Sequence, residues 1–365
     1  MSLWSPLLRP ELSELTAYVP AEPSGIRSHL DANEAPPHPS GRIREIVARA
    51  VERTALERYP DARARALKAA IADRTGARPE ELLVGTGSDE LIAILLTALA
   101  KPRERAAQAV VLMPTPTFVM YRVSSRAHGI KPVEVPLDAS WDLDAGGMKR
   151  AIEMMRPNVV FVASPNNPTG NRVSDARLVE LLEAAGDALV VVDEAYIDYG
   201  GESLRGWRSR FPNLGILRTL SKVGLAALRV GWFDADEALV REVDKVRQPY
   251  NVSATSQAAA AAVLTEGWAE VQEQVKAVVK ERERVADALR SAGGFKLTPS
   301  QANFLWVRTE LPAADVYGGL VAAGILVRSF HAAGGRMAHQ LRVTIGAPAD
   351  NDRLLEVLTK TVTAR

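Results

Sequence analysis

The stretch ALVVVDEAY, residues 188–196, decides the fold of this 365-residue chain. Its apolar residues follow one another without polar alternation and end at two carboxylates, Asp193 and Glu194. Such a run is typical of a strand that is buried on both faces of a parallel sheet. A carboxylate directly after a buried strand is costly unless it meets a cation, a metal or solvent. We therefore expect a functional site at this strand end.

Four other short apolar runs have the same character: ELLVGTGS, QAVVLMPTP, VVFVASPNN and LGILRTLSK. Each is followed by Gly, Pro, Ser or Asn, and helical patterns such as SDELIAILLTALA and DARLVELLEAAGD lie between them. This alternation predicts an α/β fold, in which a large domain has a mostly parallel sheet covered by helices on both faces.

The pattern changes near residue 265. A long charged helix, AEVQEQVKAVVKERERVADALRSAGG, leads to alternating strands at ANFLWVRTE and HQLRVTIGA and then to a closing helix. We interpret this part as a smaller α+β domain. The sequence thus predicts a large domain at 46–265, with a proline-rich arm at 1–45 and the small domain at 266–365.

The composition narrows the classes of function. The chain has 47% hydrophobic and 24% charged residues and a net charge of +1, which gives no reason to expect a nucleic-acid partner. It has no run of eighteen apolar residues and no signal-peptide pattern, so we expect a cytoplasmic protein without a membrane span. The absence of cysteine excludes disulfides and thiolate chemistry, and the five scattered histidines suggest no metal site.

Three further motifs are ambiguous when taken singly. GTGSDE, residues 85–90, offers backbone amides to an anion at a helix start, but a helix cap by Ser88 or Asp89 explains it almost as well. SPNNPTG, residues 164–170, is either a proline turn or part of a site. TLSKVGLAALRVG, residues 219–231, places Lys222 among apolar neighbours, which suits either a helix start with a snorkelling lysine or a reactive amine.

Together and in this order, the motifs resemble the pyridoxal-phosphate-dependent aminotransferases of the aspartate aminotransferase fold, fold type I. The resemblance is closest to the histidinol-phosphate aminotransferases. It covers nearly the whole chain, through the segments LDANEAPPHPS, ERYPDARARALKAAIA, GTGSDELI, PTPTFVMY, SPNNPTG, VVDEAYIDY, RTLSK, LRVGW, PYNVSATSQ, ANFLWV and LRVTIG. It implies an enzyme that uses pyridoxal 5′-phosphate and assembles as a homodimer.

The resemblance implies a role for each matching residue. Lys222 would be the Schiff-base lysine and, once released, the general base. Asp193 would pair with the pyridine nitrogen, and Asn167 and Tyr196 would contact the phenolic oxygen. The remaining cofactor-binding positions are Phe118 on the ring, Gly87, Ser88, Asp89, Thr219, Ser221 and Arg229 around the phosphate, and Tyr59, which would reach the phosphate of the neighbouring subunit. Arg229 follows Lys222 by seven residues rather than the eight of enterobacterial-type relatives, which predicts a tighter turn.

The resemblance also implies the substrates. Arg342 would bind an α-carboxylate, and Arg328 would bind the phosphate of histidinol phosphate or the distal carboxylate of glutamate. Tyr18, Asn33 and Tyr250 occupy other substrate-side positions. The implied reaction is ping-pong transamination of histidinol phosphate with 2-oxoglutarate. The alternatives are an aromatic aminotransferase, a threonine-phosphate decarboxylase or a non-catalytic ligand-binding module; the intact set of lysine, aspartate and arginine argues against the last.

Overall fold

A computed structural model describes residues 3–17, 23–103 and 106–363. The helices are α1 Arg42–Glu52, α2 Arg65–Thr75, α3 Gly87–Ala98, α4 Met120–Ala127, α5 Ala145–Met155, α6 Asp175–Ala185, α7 Glu237–Val243, α8 Ala254–Glu266, α9 Trp268–Ala292, α10 Ala313–Ala322 and α11 Pro348–Thr363. The strands are β1 Ser28–Leu30, β2 Leu82–Gly85, β3 Val110–Thr115, β4 Lys131–Pro136, β5 Val159–Ala163, β6 Leu189–Asp193, β7 Leu214–Thr219, β8 Gly231–Asp234, β9 Phe295–Thr298, β10 Phe304–Thr309, β11 Ile325–Ser329 and β12 Gln340–Thr344.

Seven strands form the large sheet, in the order β2–β8–β7–β6–β5–β3–β4. In the part of this order that runs β7–β6–β5–β3–β4, each strand is parallel to its neighbours. In contrast, β8 runs antiparallel to both β2 and β7, so β2 and β7 point in the same direction. The carboxyl ends of β2, β5, β6 and β7 therefore share one edge of the sheet, and β8 begins at that edge.

Successive residues of β6 enter two different cores, which explains why its sequence lacks alternation. Val190 and Val192 pack with apolar residues of α5 and α6. Val191 packs on the other face, with residues of α3, α4 and α7. Helices thus cover both faces of a mostly parallel sheet, and the predicted fold class is confirmed.

The small sheet has the order β1–β11–β12–β10–β9. Its β10 and β12 are the strands expected from alternation, and they pair antiparallel. Part of the predicted arm belongs to this sheet, because residues 28–30 form β1 and pair in parallel with β11. The sequence patterns did not identify the edge strands β4 and β9, or the internal strands β8 and β11.

Helix α9 contacts two cores along its length. Near its start, Val271 packs in the cluster that α1, α2 and α8 share with β2 and β8. Further along, Val278, Val285 and Leu289 pack in the core of the small sheet.

The boundaries 46–265 and 266–365 stay a prediction. In the described ranges, none of the helices combines the length and the apolar character that a membrane crossing requires.

Candidate active site

Asp193 ends β6 at the shared edge of the large sheet. Only 4% of the residue is exposed. Its Oδ2 accepts a hydrogen bond from the Tyr121 hydroxyl at 2.7 Å, and its Oδ1 accepts one from the Ala195 amide at 2.9 Å. Burial raises the pKa of Asp193 to about 6, although both hydrogen bonds favour the ionised form. A buried carboxylate in this state suits a cationic ring nitrogen as its partner.

Tyr121 is a site residue that the sequence patterns missed. It lies on α4, and its ring stacks on Phe161 with the centroids 4.7 Å apart. Phe118, a predicted ring-stacking residue, meets Tyr121 edge-on at 5.5 Å. Burial raises the pKa of Tyr121 well above its usual value, so the phenol stays neutral and remains a donor. The signal in the sequence is its position three residues after Phe118, within PTPTFVMY.

Glu194, next to Asp193, has a structural role. Its Oε2 accepts a hydrogen bond from the Ser203 hydroxyl, and its Oε1 accepts one from the Leu204 amide, both at 2.7 Å. Burial raises the pKa of Glu194 as well. These partners satisfy the carboxylate and hold the loop after β6, which leaves Asp193 as the carboxylate of the site.

Lys222 lies in a single 3-10 turn, Ser221–Val223, and no α-helix starts there. Its side-chain nitrogen, Nζ, is 5.9 Å from the centroid of the Tyr196 ring. Its backbone carbonyl accepts a hydrogen bond from the Tyr199 hydroxyl at 2.6 Å, which fixes the turn. The structure therefore brings the lysine amine to one of the two predicted contacts of the cofactor's phenolic oxygen.

The predicted phosphate-binding side chains meet where β7 ends and β8 begins. Thr219 Oγ1 is 2.9 Å from Ser221 Oγ, and Arg229 donates to the same Ser221 oxygen at 3.4 Å. Arg229 has a left-handed backbone, with φ of 52°, in the tight turn that the short spacing predicts. Because β8 runs opposite to β7, this turn returns the arginine to the edge that carries Lys222.

Gly87 opens α3 below this guanidinium. Its φ is 77°, and a Cβ on it would lie 2.7 Å from Nη2 of Arg229. Gly231 is equally restricted, since its Cβ would lie 2.9 Å from the amide nitrogen of Ser88. The two glycines thus let an arginine and the amide end of a helix approach each other. Fixed N–H donors and a guanidinium fit a phosphate dianion.

The side chain that holds this loop is Glu90, not Ser88 or Asp89. Its Oε2 accepts hydrogen bonds from the Thr86 amide at 2.5 Å and from Asn251 Nδ2 at 2.8 Å. Thr86 in turn donates its hydroxyl to the Asn251 carbonyl at 2.8 Å. Asp89 is instead 3.8 Å from Arg229 in a loose ion pair. The capping alternative considered from the sequence, a helix cap by Ser88 or Asp89, is wrong, because Glu90 accepts the hydrogen bond from the backbone at the start of α3.

Arg342, on β12, reaches the SPNNPTG loop. It donates to Asn167 Oδ1 at 2.6 Å and to the carbonyl of Asp31, and its guanidinium carbon lies 5.5 Å from the Phe304 ring centroid. Since the oxygen of Asn167 accepts from Arg342, its amide NH₂ is the group that can serve a cofactor oxygen. A predicted substrate arginine and a predicted cofactor residue are therefore in direct contact.

Arg328 and Arg342 are directly opposite each other on the antiparallel strands β11 and β12. Opposite residues of such a pair project from the same face of the sheet. Arg328 is exposed and Arg342 is half-buried. Two like charges across a strand pair are destabilising by themselves, so this arrangement favours an anionic ligand on that face.

Asn33 and Tyr196 are both buried and touch each other. The amide of Asn33 donates to the Tyr196 hydroxyl at 2.9 Å, and only 1% of Asn33 is exposed. Tyr59 and Tyr250 form a second contact, with ring centroids 4.7 Å apart and nearly parallel planes. Both of these rings are exposed, Tyr59 by 81%. Tyr18 lies outside the described residues.

Residues 28–358 match the family described as aminotransferase class I and II. Two curated relatives, from Aquifex aeolicus and Methylibium petroleiphilum, are both named histidinol-phosphate aminotransferase and are 38% identical to this chain. Each match covers 96% of this chain, with 97% of the first relative and 93% of the second.

A crystal structure of histidinol-phosphate aminotransferase from Sinorhizobium meliloti, in complex with pyridoxal-5′-phosphate, has the same fold. Its TM-score is 0.84 at 24% identity, and the match covers 98% of both chains. The chain therefore belongs to the class I and II aminotransferases, the pyridoxal-phosphate-dependent transferases that its motifs indicated, and within them to the histidinol-phosphate aminotransferases.

Proposed function

We propose that this enzyme transfers the amino group of histidinol phosphate to 2-oxoglutarate, giving imidazole-acetol phosphate and glutamate. The observation that carries the proposal is the pair Arg328 and Arg342, which face the same side of the small sheet. Arg342 also donates to Asn167 on the cofactor side. A substrate that carries an anion a few bonds from its amine fits between these two positions, and the names of the curated relatives support this choice.

The residues around Lys222 fit pyridoxal phosphate. Arg229, Ser221 and the amides after Gly87 would hold its phosphate, Asp193 would keep its ring nitrogen protonated, and Phe118 would lie against the ring. When bound, the cofactor withdraws electrons from the carbon that bears the substrate amine. Lys222 would move the proton of that carbon, as general base and then as general acid.

Two half-reactions make different use of the arginines. Histidinol phosphate has no α-carboxylate, so its phosphate would be bound at Arg328. Glutamate has two carboxylates, and we assign its α-carboxylate to Arg342 and its distal carboxylate to Arg328. A planar guanidinium can bind either group through two parallel hydrogen bonds. One site can then accept both substrates in turn, as ping-pong transfer requires.

The same proposal includes a homodimer in the cytoplasm. The stacked pair Tyr59 and Tyr250 leaves two large rings in solvent in the single chain. Aromatic rings of this kind are enriched in protein interfaces. Light scattering during gel filtration should give twice the chain mass of 39.5 kDa. A fully active species at the single-chain mass would contradict the dimer.

A panel of amine donors with 2-oxoglutarate, scored by the glutamate formed, tests the reaction. Histidinol phosphate should exceed phenylalanine and tyrosine in kcat/KM, and threonine phosphate should release no carbon dioxide. Borohydride reduction followed by peptide mapping should place the cofactor on Lys222. A preference for aromatic donors, or decarboxylation of threonine phosphate, would replace the proposed substrate with one of the alternatives. A label on another lysine would refute the site itself.

A further inference from the structure

Asn33 is a buried polar residue that contacts Tyr196 and that the proposed reaction does not use. All four of its hydrogen-bonding groups have partners. Its backbone amide donates to Thr344 Oγ1 at 3.0 Å, and its Oδ1 accepts from the same hydroxyl at 3.1 Å. Its carbonyl accepts from Asn303 Nδ2, and its own Nδ2 donates to Tyr196, both at 2.9 Å. Such a network fixes one orientation of the side chain.

Thr344 determines which way the Asn33 amide faces. The Thr344 hydroxyl accepts a hydrogen bond from the backbone N–H of Asn33, and it donates its single proton to the side-chain oxygen Oδ1 of Asn33. Thr344 is 1% exposed. If the side-chain amide were reversed, that proton would lose its acceptor in a buried place, which is costly. The NH₂ group of Asn33 is therefore the one that meets Tyr196.

A hydrogen-bond donor at the Tyr196 oxygen restricts the direction in which the tyrosine's own hydroxyl hydrogen can point. A tyrosine hydroxyl has one hydrogen to donate and can also accept. Because Asn33 fills an acceptor position of this oxygen, the phenol's own hydrogen is directed away from Asn33 and is left for another acceptor. Lys222 Nζ lies 5.9 Å from the centroid of the same ring, so this tyrosine borders the predicted cofactor site. We propose that Asn33 is a positioning residue, anchored by Thr344, that makes Tyr196 a hydrogen-bond donor to the phenolic oxygen of the bound cofactor.

This inference rests on the proposed function and changes the role expected for Asn33, which its resemblance placed on the substrate side. In the structure Asn33 is buried, contacts Tyr196, and is held by Thr344 of β12 and by Asn303, which precedes β10. A hydrogen-bond donor at the cofactor's phenolic oxygen would favour the anionic form of that oxygen. The nitrogen that joins Lys222 to the cofactor would then be less basic. Such a donor therefore lowers the pH midpoint at which the absorbance of the bound cofactor changes, without any substrate present.

The backbone of Asn33 dictates the variants. Its φ is 56°, in the left-handed region that asparagine, aspartate and glycine tolerate best. Asn33→Gly removes the amide without adding strain, whereas alanine would add it. Asn33→Asp replaces the donor by an acceptor of the same shape, and Thr344→Val removes the anchor while Asn33 remains. Tyr196→Phe removes the hydroxyl through which Asn33 is inferred to act.

The measurement is a pH titration of the absorbance of the holoenzyme. Tyr196→Phe should raise the midpoint by about one to two pH units, the size expected for a lost hydrogen bond to a charged group. Asn33→Gly should raise it by about half a unit, Asn33→Asp by at least as much, and Thr344→Val by less. In the Tyr196→Phe background, Asn33→Gly should cause no further shift.

Three outcomes would overturn the inference. One is an unmoved or lowered midpoint in Asn33→Gly, and a second is an undiminished shift in the Tyr196→Phe background. The third is a raised KM with an unchanged midpoint, which would make Asn33 a substrate contact. In each case the wild type still shows the cofactor band. If the wild type itself forms no such band on Lys222, the proposed function fails first, and this inference fails with it.

Discussion

Arg328→Ala should separate phosphate-bearing donors from aromatic ones. Arg328 is exposed, on the strand next to Arg342, so among the described residues its removal should leave no buried group without a hydrogen bond. The fold should keep its melting temperature. A charge-assisted hydrogen bond to an anion contributes about 1.5–3 kcal/mol. Its loss predicts a decrease of roughly tenfold to over a hundredfold in kcat/KM for histidinol phosphate, and a similar decrease for glutamate.

Phenylalanine has no distal anion, so its kcat/KM should change by less than about threefold, near the 0.5 kcal/mol expected for neutral surface changes. The assay is the single-turnover half-reaction of the cofactor-loaded enzyme with each donor and no acceptor, whose dependence on donor concentration gives kcat/KM; the three donors are compared on one enzyme preparation. Arg290→Ala is the matched control, because Arg290 pairs only with the exposed Asp287 on α9 at 2.7 Å among the contacts of the described chain. Equal losses for all three donors in Arg328→Ala would refute the reasoning.

Three other predictions concern the cofactor side. Asp193→Asn should abolish most amino-group transfer. It should also stabilise the cofactor-free protein at neutral pH by on the order of 3 kcal/mol, because a carboxyl group whose pKa is raised to about 6 makes the folded state less stable as pH rises from about 4 to 6. Equal unfolding curves of the two proteins at pH 8 would contradict the burial argument. Glu90→Gln should weaken equilibrium binding of pyridoxal phosphate roughly tenfold, because the Thr86 amide and Asn251 lose a charged acceptor; unchanged affinity would show that the loop holds without Glu90. Tyr121→Phe should weaken cofactor binding by a similar factor, as Asp193 loses its hydroxyl donor and its pKa rises further; an affinity equal to that of the wild type would exclude this role.

Sequence patterns were sufficient for the central strands and for the residues at their ends. The runs at β5, β6 and β7 are apolar because helices cover both faces, and that cause acts locally on every residue. The same patterns could not place β8, which has only four residues, GWFD. Its position in the sheet depends on pairing with β2, which ends at Gly85, far earlier in the chain than any short window reaches.

The site shows the same limit. Lys222 and Asp193 could be predicted as site residues because the resemblance places the lysine and aspartate of the family at these motif positions. The supporting contacts of Tyr121, Glu90 and Thr344 could not, since each depends on a partner far along the chain. Thr344 and Asn33, for example, are 311 residues apart. A motif specifies which group acts, whereas the residues that orient it emerge only when distant segments pack together.

The position of β2 has a consequence for the order of folding during synthesis. Within the sheet of the described residues, β2 pairs only with β8. Its four buried residues, LLVG, therefore have no strand partner until β8, which begins at Gly231, has been synthesised. About 150 residues must be made in between, which takes roughly 7–30 s at 5–20 residues per second. The loop that begins α3 cannot acquire its final shape before then. The corner that is predicted to bind the cofactor phosphate, formed by Gly87, Ser221 and Arg229, is thus among the last parts of the large sheet to assemble.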